Sequence, residues 1–254
     1  MHHEIAVSSY SLHQCLGPIR LTHRNADGAK QEFLWDQPQT MTLLEFPGAV
    51  KQRLGLSTVE ICQFHLPERS PAYIAELDQV LRSAGVSLLN MPIDVGNISD
   101  VDPVYREEDL AEIEEWIRVA AALGARMVRV NASMPFATSV APIEVTIESY
   151  RRLGRFAKDL GLQLLIENHG GITTDPAVIV AILEAVGPEY LKALVDIGNF
   201  EPLLTVQMAL MQGQQPPEVD VTPVYGAIAQ IAPYAGLVHA KTHEFDADGR
   251  PLLL

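Results

Sequence analysis

LQLLIENHGG (162–171), LKALVDIGNF (191–200) and GLVHAKTHEF (236–245) share one plan: a short apolar run that reaches a metal-type side chain at its end. Those side chains are Glu167, Asp196 and His239. A carboxylate at the end of an apolar strand is costly to desolvate unless a cation or hydrogen bonds compensate it, and Glu167 and Asp196 both fit that description. Taken singly, each residue is as well explained as a polar strand-end group bonded to backbone or water, and His239 as a hydrogen-bonded core histidine. Three at equivalent points of successive units favour one shared site. A mixed oxygen and nitrogen set suits Mn, Co, Mg or Zn better than a thiolate-loving metal. By the two-residue period of a strand, Ala240 points away while Lys241 shares the face of His239, placing a cation beside that set.

Working outward, β-rich runs occur at 5–9, 58–64, 86–90, 127–131, 162–167, 193–196 and 237–241. Between them, 42–54, 71–84, 107–123, 143–160, 176–186 and 221–231 carry apolar residues at three- and four-residue spacing, the mark of amphipathic helices. Ser70-Pro71 and Asp175-Pro176 each pair an N-cap residue with proline at the first helical position. Gly85, Gly124 and Gly161 stand where helices should stop, just before strands.

Such alternation implies parallel strands joined by right-handed crossovers, in an open doubly wound sheet or a closed barrel. Glu60, Asn90, Asn131, Glu167, Asp196 and His239 close six consecutive runs with polar groups. An open sheet concentrates its site at one switch point, whereas a barrel gathers all its strand ends round one mouth, so the barrel is the better fit. Residues 15–39, with Asn25-Ala26-Asp27-Gly28, are too many for an ordinary βα loop and are expected to form a hairpin or lid over the mouth. Residues 207–220 read as a second insertion bordering it.

The 254 residues, 48% apolar, suffice for one large domain, and no linker-like stretch divides 1–254. A net charge of −14 and a pI near 4.9 disfavour nucleic-acid binding but leave room for a small anion in a local basic pocket. Neither GxGxxG nor GxxxxGK[ST] occurs, so dinucleotide and P-loop folds are set aside. Cys15 and Cys62 make no disulfide framework or CxxC motif and read as reduced packing residues. The N-terminus lacks a secretory signal, no run approaches a membrane span, and a cytoplasmic protein without membrane partners is expected. His2 and His3 are left out of the site.

Ile166-Glu167-Asn168-His169-Gly170-Gly171, Val195-Asp196-Ile197-Gly198-Asn199-Phe200 and His239-Ala240-Lys241-Thr242 resemble the sugar phosphate isomerase/epimerase family with a xylose isomerase-like TIM barrel. The resemblance runs from Ile5 to about Phe245. It implies a (β/α)8 fold and a divalent metal held by a glutamate, an aspartate, a histidine and a second glutamate from the fifth to eighth barrel strands. Glu167, Asp196 and His239 match the first three. Beyond Phe245 the sequence offers no eighth strand or final helix, so the fourth ligand is expected either on a strand beyond this sequence or, if the natural protein ends here, to be missing, with Glu244 a speculative replacement only. The family's paired carboxylates act on opposite faces of a substrate carbon, one removing a proton and the other supplying it.

Around that core, His65 near the end of the second run is a candidate for a sugar hydroxyl or phosphate, His13 a weaker one, and Asn131 suits polyol recognition. Glu60 is expected to orient its neighbours from the barrel interior. Asn168 reads as loop-bonding, and Asn199 stands where some relatives have histidine. His169 and His243 are either supporting groups or surface residues. Phe64, Trp35 and Phe200 read as apolar walls or core.

The resulting expectation is a divalent-metal-dependent isomerase or epimerase of a small sugar or sugar phosphate, working through proton abstraction next to a carbonyl and an enediolate-like intermediate. Glu167 ligates and helps in proton transfer, Asp196 and His239 ligate, and Lys241 stabilises oxygen charge. A lyase or dehydratase of a keto-polyol and a noncatalytic sugar-binding protein are the rivals. An abasic-site nuclease with a three-zinc cluster is disfavoured by the acidity and by only 8 histidines. Association through outer helices or mouth loops into a homo-oligomer is compatible with such a barrel.

Overall fold

A computed structural model of the chain describes residues 4–25, 27–133 and 141–241. Its strands are β1 (Val7–Ser8), β2 (Ile19–Arg24), β3 (Lys30–Trp35), β4 (Thr58–Glu60), β5 (Ser87–Ile93), β6 (Met127–Val130), β7 (Gln163–Glu167), β8 (Leu191–Asp196) and β9 (Ala235–His239). The helices are α1 (Phe46–Leu54), α2 (Pro71–Ala84), α3 (Pro103–Ala122), α4 (Ile143–Asp159), α5 (Pro176–Val186), α6 (Leu203–Met211) and α7 (Thr222–Ile231). Strands β1, β4, β5, β6, β7, β8 and β9 pair in that order, all parallel, while β2 and β3 make a separate antiparallel pair.

The large sheet is rolled up. Five strand spacings separate β4 from β9, roughly 24 Å in a flat sheet. Yet Glu60 Oε2 on β4 lies 2.9 Å from His239 Nε2 on β9. Curvature of that order is that of a TIM-type barrel, and it brings the carboxyl ends of the strands to one mouth. Among the described residues no eighth strand joins β9 to β1. Glu244 and His243 lie outside the described residues.

Helices cover the outside of this wall. Leu77, Ile113, Ile117, Leu153 and Ile182 present fully buried side chains from α2 to α5, each stabilising by about 1.5–3 kcal/mol. Ser70 Oγ accepts the Tyr73 N–H and Asp175 Oδ1 the Ala177 N–H, so both sequence-predicted caps form. Asp102 and Pro103 repeat the device, with Asp102 Oδ1 accepting the Val104 N–H at 2.8 Å. Helix α3 therefore begins at Pro103, earlier than the apolar spacing from 107 implied.

Three boundaries differ from the sequence reading. Strand β4 stops at Glu60, and Gln63–His65 form a 3-10 turn, so His65 follows the strand instead of ending it. Strand β5 continues past Asn90 to Ile93. Asn90 is a fully buried mid-strand residue whose amide donates to Glu60 Oε2 at 2.7 Å; a bonded amide interrupts hydrophobicity without interrupting the strand. Part of the 207–220 stretch belongs to α6, whose sequence LLTVQMALM is apolar on nearly every side and shows no helical period.

The 15–39 stretch is a hairpin, with Ile19 opposite Trp35 and Arg24 opposite Lys30. At its tip Asn25 Oδ1 accepts the Ala29 N–H at 2.8 Å. Arg24 and Lys30 both reach Asp109 Oδ1 on α3, at 2.8 and 2.9 Å, while Asp109 Oδ2 accepts the Asn97 N–H. The hairpin is thus fastened across the top of the barrel by a buried carboxylate. Near its base Ile19, Leu21 and Trp35 pack on Cys62 and Phe64.

Candidate metal centre

Strand register builds the centre. Asp196 and His239 are Cα partners on β8 and β9, and Glu167 on β7 pairs one pleat lower, with Leu194. His239 Nδ1 lies 3.7 Å from both Glu167 Oε1 and Asp196 Oδ2. One ligand atom from each of the three residues falls within 4.8 Å of the others, and both carboxylates are buried.

Each carboxylate is fastened on its remaining sides. Asp196 Oδ1 accepts the Gly198 N–H at 2.9 Å, and Oδ2 lies 2.9 Å from Lys241 Nζ. Lys241 also donates to Asn199 Oδ1 at 2.8 Å, and the Asn199 amide donates to Glu167 Oε1 at 3.2 Å. Glycine at 198 is what admits the lysine: a Cβ there would sit 2.6 Å from Lys241 Cε. The Asp-Ile-Gly-Asn segment is therefore a ligand, a cradle for a lysine stem and a bridging amide. Asn168 turns from the centre and exchanges two hydrogen bonds with the Asp196 backbone, in keeping with the reading of it as loop-bonding.

Glu167 Oε2 faces Arg129. The Arg129 Nε lies 2.8 Å away, an ion-pair distance, but off the angle of a hydrogen bond, and among the described residues neither atom has a hydrogen-bond partner. The Arg129 head forks onto Asp94, with Nη1 to Oδ1 at 2.5 Å and Nη2 to Oδ2 at 3.2 Å, and Asn131 donates to Asp94 Oδ1 at 2.9 Å. Burial alone would raise the Glu167 pKa, yet Arg129, His169 and His239 together hold it well below the usual carboxylate range. Burial likewise opposes charge on His239, but the Glu60 carboxylate bonded to Nε2 and the Asp196 and Glu167 carboxylates near Nδ1 raise its pKa to about 12.

Such a field favours a cation. Glu60, Asp94, Glu167 and Asp196 are balanced by Arg129 and Lys241, leaving two negative charges for one divalent ion with His239 as a neutral ligand. With two carboxylate oxygens and one imidazole nitrogen, the donor set fits a borderline or hard divalent metal.

The remaining candidates lie apart. His65 Nδ1 is 2.8 Å from Ser9 Oγ, which also accepts the Cys62 N–H. Ser9 is fully buried, and Nδ1 is the acceptor available to its proton, so the neutral ring carries its hydrogen on Nε2, which has no partner among the described residues. Burial, then His13, lowers the His65 pKa to about 4. His13 binds the Tyr10 carbonyl through Nδ1, stacks on Tyr10 and tilts against Trp35. Thus Glu167, Asp196, His239 and Lys241 form one cluster, Asn131 joins it through Asp94 and Arg129, and His65 and His13 belong to an aromatic wall. Phe200 is core, Phe64 buried in that wall.

Arg129, Asp94 and Asn199's bridge were not anticipated. An arginine inside the run Met127–Val130 was a usable signal, since a charge in a barrel strand needs a partner.

The chain belongs to the xylose isomerase-like TIM barrel family, whose model matches residues 49–250. Among solved structures it is similar to a D-psicose 3-epimerase crystallised in the presence of D-fructose (19% identity, 84% of this chain and 86% of that one, TM-score 0.57). A xylose isomerase-like TIM barrel protein from Mycobacterium smegmatis in complex with magnesium is 21% identical over 98% of this chain and 80% of that one, TM-score 0.57. A 3-keto-D-glucoside 4-epimerase from E. coli is 17% identical over 83% and 88%, TM-score 0.55. These likenesses are of fold. No curated protein matches the chain in sequence.

Proposed function

We propose that the protein is a divalent-metal-dependent isomerase or epimerase of a small keto sugar or its phosphate. The observation that carries this reading is the set of buried Glu167 and Asp196 with part-buried His239, one ligand atom from each within 4.8 Å of the others, beside the Lys241 ammonium. Family membership and the sugar epimerases among its structural neighbours support the substrate class.

Glu167, Asp196 and His239 would hold the divalent ion, which would supply Lewis-acid polarisation of a carbonyl and its adjacent hydroxyl and so acidify the neighbouring C–H. Lys241, anchored by Asp196 and Asn199, offers its third N–H to the oxygen on which charge grows. Glu167 would help hold the ion and take part in moving the carbon-bound proton. The Arg129 contact that keeps Glu167 ionised also makes it a weak base, so the transfer relies on a strongly acidified substrate. Asn131, with a buried unpartnered Oδ1, and His65, with its Nε2 hydrogen, would orient hydroxyl or phosphate oxygens, and His13 would line the wall.

Small molecules are the expected partners, and the charge of −14 opposes nucleic acid. Among the described residues no helix is long and apolar enough to cross a membrane. Both cysteines are free, which suits a reducing cytoplasm, and burial pushes the Cys62 thiol up to about 12.

The test is exchange. Mn²⁺-loaded protein incubated with keto sugars in heavy water should place deuterium on the carbon next to the carbonyl, and Glu167→Gln should abolish it. Metal binding without exchange on any keto sugar would turn the reading into a noncatalytic sugar-binding protein.

A further inference from the structure

His239 has two ring nitrogens with diverging lone pairs, and the structure gives them different neighbours. Nδ1 faces Glu167 Oε1 and Asp196 Oδ2, each at 3.7 Å. Nε2 lies 2.9 Å from Glu60 Oε2, a residue 179 positions away in the chain. Glu60 therefore sits on the far side of the imidazole from the other two carboxylates and is not part of their ligand set. It is buried, and the same Oε2 receives the Asn90 amide at 2.7 Å, so its position is fixed from a third strand.

From this geometry we propose that Glu60 is a positioning residue for the metal centre. Its carboxylate takes the Nε2–H of His239, which sets the ring's tautomer and plane and presents the Nδ1 lone pair to an ion between Glu167 and Asp196. This rests on the metal-centre reading above. A carboxylate behind a histidine ligand raises the ring's basicity and blocks the wrong tautomer, and losing such a partner costs roughly 10–100-fold in metal affinity. Asn90 is the outermost member of the relay: it holds Glu60, Glu60 holds His239, and neither touches the ion.

The experiment is calorimetric titration of the EDTA-stripped full chain with Mn²⁺. Glu60→Gln, close in shape but uncharged, should bind roughly 10–100-fold more weakly than wild type while its metal-free thermal midpoint shows it folded. No binding by wild type would overturn the metal centre itself. Tight wild-type binding with a Glu60→Gln affinity within twofold would overturn the role of Glu60 and leave the centre standing. Should the variant not fold, ¹⁵N-histidine spectra of the Zn²⁺-loaded wild type decide the matter. A proton on Nε2 and a metal-shifted Nδ1 of His239 are expected; the reverse assignment would overturn the proposal.

Discussion

On the β6 to β9 side of the mouth, Arg129, Glu167, Asp196, His239 and Lys241 form a chain of ionised groups, each held by the next. On the β1 to β4 side, Ser9, His65, Tyr10, His13, Phe64 and Trp35 form a wall in which His65 is kept uncharged. Both sides bury polar groups, by opposite means. In the first, charge is tolerated because opposite charge is within reach; in the second, a single hydroxyl serves one nitrogen of a neutral ring and protonation is penalised. Removing a member should therefore strand its neighbours on the charged side, whereas on the neutral side the sensitive variable is pH.

The largest effect should come from Arg129→Met. It leaves the buried Glu167 and the part-buried Asp94 without their cation, and the expected loss is about 3–5 kcal/mol in urea unfolding. A loss under 1 kcal/mol would mean the charged side is not held by mutual compensation.

The next concerns His65, whose pKa of about 4 when folded lies below the ordinary 6.5. Above pH 6.5 the ring is neutral folded or unfolded, and its burial carries no proton linkage. As pH falls from 6.5 towards 4, only the unfolded chain takes up the proton, so stability drops by on the order of 3 kcal/mol and then levels off. His65→Gln should lack this part of the acid slope. Equal slopes for variant and wild type would contradict the neutral side as described.

The smallest effect is expected at the hairpin that roofs the neutral side. Lys30→Met removes a part-exposed cation from Asp109 while Arg24 remains, so a loss of about 1 kcal/mol or less is expected, smaller still in high salt. A larger, salt-independent loss would mark Lys30 as part of the buried network.

The predicted hairpin, two of the three helix caps and the three apolar runs ending at Glu167, Asp196 and His239 were legible because each is written within a few neighbouring residues. The type of Asn131 marks it as a substrate group, but its tie to Asp94 depends on β5 running three residues beyond Asn90. Glu60 looked like an orienting residue, yet what it orients could not be named. Helix α6 was overlooked because a segment apolar on most sides has no period to detect.

Local chemistry in the chain thus determines the alternation of strand and helix, the turn at Asn25 and which side chains end the strands, since periodicity, capping and turn geometry act over one to four residues. Tertiary structure alone decides that Glu60 meets His239 and that Arg129 meets Glu167. Those contacts depend on register between strands and on how far the sheet rolls, quantities set by the packing of the whole wall. A charge's partner inside a barrel is a matter of curvature, and curvature leaves no mark on any short stretch of sequence.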